Sequence, residues 1–316
     1  MILVTGATGF LGRHVMERLV RGGQEVRGLA RRVPAGAAAG DGGGSVGRAT
    51  GGPADDGIIS WVPGDIRDRN VLRRAAEGCR AVVHLVGIIK PGRDPARGYA
   101  AIHVEGTRNV VDAAASAGVG RFVYISAAGA GPDAETPYHR SKWEAEEIVR
   151  LSGFPHLILR PSVVYGPGGE LTEMLAGMAR RMPLLPVPGS GNYRIQPVYV
   201  QDVAESVAVY CGRAEAEGGT YELGGPEAVT YEGFLVRVME ALGKRRARIH
   251  VPLALLRPAI RVMEKTIPSL APLTSEQLTM LLAGSLCPET PRLAADLGLT
   301  LTPLDRGLRE SLAHPT

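Results

Sequence analysis

The chain has 316 residues, 45% of them apolar and 22% charged, enough for one large or two modest domains and unlike a disordered or fibrous polypeptide. Its net charge of +4 comes with no Lys/Arg run interleaved with aromatics, which argues against nucleic-acid binding. Three dispersed cysteines (Cys79, Cys211, Cys287) exclude a disulfide framework and fit a reducing compartment.

The first expected element is a strand at residues 2–4 (Ile2, Leu3, Val4). Because it starts so early, no signal or transit peptide is expected before it. No stretch reaches about 18 uninterrupted apolar residues, so no transmembrane helix is expected either. Thr5-Gly-Ala-Thr-Gly-Phe-Leu-Gly12 comes next, giving Gly6-x-x-Gly9-x-x-Gly12 between a strand and a helical pattern. That order builds a tight turn and a helix N-terminus, whose N–H groups and dipole favour an anion. The glycines permit unusual φ, close approach of backbone to a diphosphate, and tight helix–strand packing. Gly6, Thr8, Gly9, Phe10, Leu11 and Gly12 are therefore the expected dinucleotide contacts.

Leu11, Val15 and Leu19, with Met16 and Val20, give the following helix an apolar spacing of four, and Gly22-Gly23 ends it. A second strand is expected at 25–30. Residues 33–57 are Ala/Gly-dominated and read as a flexible insertion. A strand at Ile58–Val62, a loop from Gly64 to Asp68, a helix over 69–78 and a strand at Ala81–Val86 follow. Then come a helix over 103–117 ending at Gly118, a strand at Arg121–Ser126, a helix over 137–151 with Pro137 near its start, and a strand at His156–Arg160 stopped by Pro161. This alternation predicts an α/β fold with a doubly wound parallel sheet in a first domain, residues 1–166. After Gly166 Pro and Gly recur, and 167–316 read as a smaller substrate or partner domain. A strand and helix at 195–212 (Ile195–Val200, Asp202–Tyr210) are expected to return to the first domain. Arg257, Arg261 and Lys265 recur every four residues within 251–267, a basic amphipathic helix that either roofs its own domain or docks on a surface, with Pro258 bending or breaking it.

Tyr138 and Lys142 are four apart on an expected helix and share one face. A neighbouring ammonium stabilises phenolate, which makes Tyr138 an acid/base group able to protonate a carbonyl oxygen or deprotonate an alcohol. Arg31 and Arg32 end the second strand, where an acidic side chain would otherwise meet a ribose diol. Guanidinium prefers a 2′-phosphate, so NADP(H) is favoured, with NAD(H) as the alternative; Arg13 offers a second contact. His84, His103 and His139 share no metal-ligand spacing, and no metal is expected.

Gly6-x-x-Gly9-x-x-Gly12, Gly64-Asp65-Ile66, His84-Leu85-Val86, Gly106-Thr107-Arg108-Asn109, Tyr138-x-x-x-Lys142, Arg160-Pro161-Ser162-Val163-Val164-Tyr165-Gly166-Pro167 and Tyr199-Val200-Gln201-Asp202-Val203-Ala204 occur in that order. Together they resemble an extended or atypical short-chain dehydrogenase/reductase over about residues 1–225. His84 to Ile89, His103 to Thr107 and Gln196 to Val200 look most like relatives of the nucleotide-binding accessory subunit of respiratory complex I. The resemblance implies a Rossmann fold. It also implies cofactor contacts at Asp65, Ile66, Leu85, Val86, Gly87, Pro161 and Val164, and a Lys142 bond to the nicotinamide ribose.

This chain departs from the family at two points. Ala128 stands where a catalytic Ser or Thr is usual, leaving Ser126 as the substitute, and His103 stands where Asn is usual. The leading reading is an NADP(H)-binding protein reducing or epimerising a small or lipid-like carbonyl or alcohol. The second is a non-catalytic NADPH-binding assembly or redox-sensing protein linked to complex I or quinone metabolism. The third is a nucleotide-sugar epimerase or dehydratase, with Arg194 at a substrate phosphate. A cytoplasmic protein is expected, with docking at the inner membrane face or in a complex left open.

Overall fold

In a computed structural model the described residues are 1–34, 45–48, 58–91, 94–214, 218–266 and 273–313. Chain order begins β1 (Ile2–Thr5), α1 (Phe10–Arg21), β2 (Val26–Ala30), β3 (Ser45–Arg48), β4 (Ile58–Pro63), α2 (Arg69–Ala76), β5 (Ala81–His84), α3 (Gly106–Ser116), β6 (Arg121–Ile125), α4 (Pro137–Arg150) and β7 (His156–Pro161). It continues with β8 (Val164–Tyr165), α5 (Glu170–Arg181), β9 (Leu184–Pro188), β10 (Arg194–Ile195), β11 (Val198–Tyr199), α6 (Val200–Gly212) and β12 (Gly219–Leu223). The last elements are β13 (Val229–Thr230), α7 (Tyr231–Ala241), β14 (Ala247–Val251), α8 (Leu253–Thr266), α9 (Ser275–Ala283), α10 (Thr290–Leu297) and α11 (Leu304–Leu312).

The residues group into two compact units. The first holds Met1–Arg160, Gln201–Glu222 and Leu293–Leu299. Its sheet runs β12-β7-β6-β5-β1-β2-β4-β3, with β1 flanked by β2 and β5, and parallel pairing from β7 through to β4. The strands are short apolar runs (Ile2–Val4, Ala81–Val83, Phe122–Ile125), buried because helices cover both faces of a parallel sheet. The chain order crosses over at β1, which brings the ends of β1 and β5 side by side. In sheets of this type that is where ligands bind.

The second unit holds Pro161–Val200, Leu223–Arg292 and Thr300–Thr316. It is built on two-stranded pairs: β8 with β11, β9 with β14, and β10 with β13. The buried Tyr165 ring lies 5.5 Å from that of Tyr199 and 6.1 Å from that of Phe234.

Several local expectations change. β5 stops at His84, freeing Leu85 and Val86 for a loop. The expected helix over 103–117 is α3 alone, preceded by a turn of π-helix at Ala100–Glu105 that carries His103. The expected strand Ile195–Val200 is split into β10 and β11 around Pro197, which cannot donate to a ladder. Those two strands pair inside the second unit, so the return to the first unit begins at Gln201 rather than at 195. Within 251–267, Val251 closes β14 and α8 runs through Pro258 without ending. Most of the 33–57 insertion lies outside the described residues; Ser45–Arg48 of it pairs antiparallel with β4.

Candidate functional site

The glycine turn is shaped by its own backbone. Gly6 has φ +73°, a left-handed conformation, and a side chain there would meet Val86 N at 3.1 Å. A Cβ on Gly12 would stand 2.1 Å from the Gly6 carbonyl oxygen, so only glycine lets the first turn of α1 close on β1. Gly9 is the N-cap, and no side chain caps the helix. The Gly9 N–H is taken by the Gly6 carbonyl at 2.9 Å. Helical N–H groups beyond it lack an intrahelical acceptor by construction, and the dipole makes that end positive. Phe10 and Leu11, in this first turn, are half-buried, and Thr8 before them is exposed.

Beside this turn lies a cleft of ≈ 790 Å³ lined by Thr8, Arg13, Glu17, Arg32, Ile59 and Trp61. The Trp61 ring packs against Gly28, where a Cβ would meet it at 2.5 Å. Arg13 and Arg32 therefore bring two guanidinium groups to one concave surface at the end of β2. Arg31 is exposed next to them and adds its field to Asp65. Asp65 takes a bidentate bond from Arg67 (2.8 and 2.9 Å), and that bond holds its carboxyl below the usual range. The Ile66 side chain points into the core against Gly106, and its carbonyl accepts from Asn109 Nδ2 at 3.2 Å.

At the other end, four of the expected residues converge. Lys142 Nζ donates to the Ile125 carbonyl at 2.6 Å and sits 4.4 Å above the Tyr124 ring. Burial pushes its ammonium down to about 7, against the pull of Glu146 one helical turn on. Gly87 lies close by: a Cβ there would be 3.7 Å from Lys142 Nζ and 3.6 Å from His103 Nε2. Ser126 is buried, and its hydroxyl finds no hydrogen-bond partner among the described residues. Ala128 is buried and supplies no hydroxyl. Tyr138 is half-buried, with its ring 5.7 Å from that of His103 and 5.9 Å from that of Tyr99. Pro161 and Val164 fall in the second unit, and Leu85 and Val86 form the loop behind Gly6.

His103 does the backbone bonding that an Asn would do. Its Nε2 accepts the Ile88 N–H at 2.9 Å, so in the neutral ring the proton is on Nδ1. Nδ1 faces Ser141 Oγ at 2.8 Å, and Ser141 donates onward to the Tyr138 carbonyl at 2.7 Å. Burial, then the charge of Lys142, pushes His103 down to about 2, which keeps that tautomer neutral. His84, fully buried, bridges Thr5 Oγ1 (2.6 Å) and Thr107 Oγ1 (3.1 Å), and burial lowers it to about 3.

Sequence reasoning missed Ser141, Tyr99 and the Glu146–Arg160 pair. Tyr99 was findable: it precedes His103 by four residues, so the two share a face, and their rings stack at 5.2 Å. Glu146 is fully buried and accepts from Arg160 Nε at 2.9 Å and Nη2 at 2.7 Å. Among the described residues no group of three or more His, Cys, Asp or Glu is arranged to hold a metal. No helix among them is long and apolar enough to cross a membrane.

Residues 2–224 match the NAD dependent epimerase/dehydratase family. A ceramide reductase of Caulobacter vibrioides is 33% identical over 67% of this chain and 61% of its own. The 40 kDa subunit of the mitochondrial NADH-ubiquinone oxidoreductase of Neurospora crassa is 28% identical over 84% of this chain and 66% of its own. The chain thus spans less than two thirds of the length of these curated relatives. Among solved structures, MoeE5 in complex with UDP-glucuronic acid and NAD aligns over 99% of this chain and 97% of that one, with TM-score 0.74 and 22% identity, a likeness of fold.

Proposed function

The chain belongs to the NAD dependent epimerase/dehydratase family, and from that premise we propose an atypical, extended short-chain dehydrogenase/reductase that binds NADP(H) and acts on a lipid-like carbonyl or alcohol. One observation carries the cofactor reading: the uncapped α1 N-terminus opens beside a cleft holding both Arg13 and Arg32, with no acidic residue at the end of β2. A nucleotide diphosphate suits the glycine turn, and paired guanidinium groups suit a 2′-phosphate. In this reading Gly6, Thr8, Gly9, Phe10, Leu11 and Gly12 hold the diphosphate, and Arg13, Arg31 and Arg32 hold the phosphate on the ribose. Asp65 and Leu85 to Gly87 line the remaining wall.

Bound NADP(H) would supply or accept a hydride. Tyr138 moves a proton at its phenol oxygen, Lys142 sets the charge that makes this proton mobile, and Ser126 orients the substrate oxygen. The orphaned Ser126 hydroxyl supports that last role, since a buried unpaired hydroxyl is costly unless a ligand satisfies it. The ceramide reductase relative favours an apolar substrate over a sugar nucleotide.

A second reading is favoured by Ala128: a protein that binds NADPH for stability or assembly without turnover, as the complex I relative suggests. Replacing Tyr138 by Phe separates the two. With NADPH affinity retained, loss of reductase activity on long-chain ketones, aldehydes or quinones supports the enzyme. Absence of any such activity in the parent protein, with NADPH still bound, supports the binder.

A further inference from the structure

The chain's net positive charge arises in one stretch. Residues 244–266 carry seven basic side chains and one acidic one, a formal +6 against +4 for the whole protein, so the rest of the chain carries −2. All of this stretch lies in the second unit.

The α8 helix divides it sharply. Ile260 is buried, and Leu253, Leu256 and Met263 lie half-buried on the same side. Opposite them, Leu255 (66% exposed) and Val262 (60%) stand seven residues apart, two turns along one ridge, with Pro258 and Ala259 exposed between them. Arg257, Arg261 and Lys265, all exposed, form a second row at spacing four along one flank of that ridge. Among the described residues no ion pair is found for these three. The one acid of the helix, Glu264, is turned away: its carboxylate accepts from the Ser275 N–H (2.8 Å) and hydroxyl (2.6 Å) at the start of α9.

An exposed apolar ridge bordered by unpaired cations is an arrangement that water alone does not favour. It matches a bilayer surface carrying negative headgroups, where the ridge enters the acyl boundary and the cations meet phosphate. We infer that the outer face of α8 docks on anionic membrane, bringing the second unit to the lipid surface. A second copy of this chain fits poorly, because that partner would set three like charges against three. This inference stands independently of the cofactor reading.

The test is co-sedimentation of the full chain with vesicles of phosphatidylcholine alone and with vesicles containing phosphatidylglycerol. Binding is expected to the anionic vesicles only and to fall with added salt. Each cation removed from Arg257, Arg261 and Lys265 should weaken partition about fivefold. Leu255→Ser with Val262→Ser should weaken it while leaving the circular dichroism spectrum unchanged. The inference is overturned if the parent does not sediment with anionic vesicles, or if Arg257→Glu with Arg261→Glu and Lys265→Glu sediments as well as the parent. It is equally overturned if sedimentation velocity shows a dimer that the Leu255/Val262 variant dissolves.

Discussion

His103 and Ser141 face each other at 2.8 Å, ring nitrogen to hydroxyl, and through that contact a residue of the π-turn is tied to the carbonyl of Tyr138. The tie is directional: Ile88 N–H into His103, His103 into Ser141, Ser141 into the backbone of α4. Removing the ring by His103→Ala leaves the Ile88 N–H and the Ser141 hydroxyl short of a partner and unstacks Tyr99. A loss of about 2–4 kcal/mol in unfolding free energy is expected, on the scale of unsatisfied buried polar groups plus lost packing. Urea denaturation checks this; a loss under about 0.5 kcal/mol would mean that the chain is not strained by its absence.

Acid should destabilise the fold through the same residues. His84 and His103 titrate near 3 and 2 when folded but near 6.5 when exposed, chiefly because burial opposes their charge. Below pH 6.5 the unfolded chain therefore binds more protons, and stability falls as pH falls. Each group contributes about 1.4 kcal/mol per pH unit within that window, so the two together give about 3. Urea midpoints measured from pH 6 to pH 4 should fall more steeply for the parent than for His84→Gln with His103→Asn. Parallel slopes would contradict the burial of neutral imidazoles.

Glu146 is a second hidden support. Its fully buried carboxylate accepts from Arg160 and Arg150, and its charge opposes the depression of Lys142. Glu146→Gln removes the charged acceptor of both Arg160 bonds, while Arg150 keeps Glu147, and should cost about 3 kcal/mol. It should also move the Lys142 ammonium further below its present value near 7, readable as a shift in the Lys142 titration by NMR. A destabilisation without any movement of Lys142 would separate the two residues electrostatically.

The cofactor choice has its own test. Arg31→Asp with Arg32→Ala removes charge-assisted donors at the end of β2. NADPH affinity should fall about 10–100-fold, the range of one such bond, while NADH affinity holds or rises. An unchanged ratio of the two affinities would refute the arginine assignment.

The parallel sheet and its helices were legible because their signals are local. The glycine turn announces itself between β1 and α1, and apolar runs alternate with helical periods from Val26 to Arg160. What escaped depends on packing between distant residues. The π-turn at Ala100–Glu105, which carries the buried His103, has no compositional mark. Ile66 sits beside Asp65 in a recognisable motif, yet its side chain is taken by the core against Gly106. Pro197 does signal a break, but only the pairing of β10 and β11 shows which unit gains them. Glu146 reads in sequence as one acid in a helical run (Glu144, Glu146, Glu147), and it is the bond from Arg160 on β7, distant in sequence, that accounts for its burial together with Arg150.

The most direct test of the central claim is calorimetric titration of the purified protein with NADPH and then NADH. One site per chain is expected, with NADPH bound at least about tenfold more tightly. No detectable binding of either dinucleotide would contradict the account, because the glycine turn would then face no diphosphate at all.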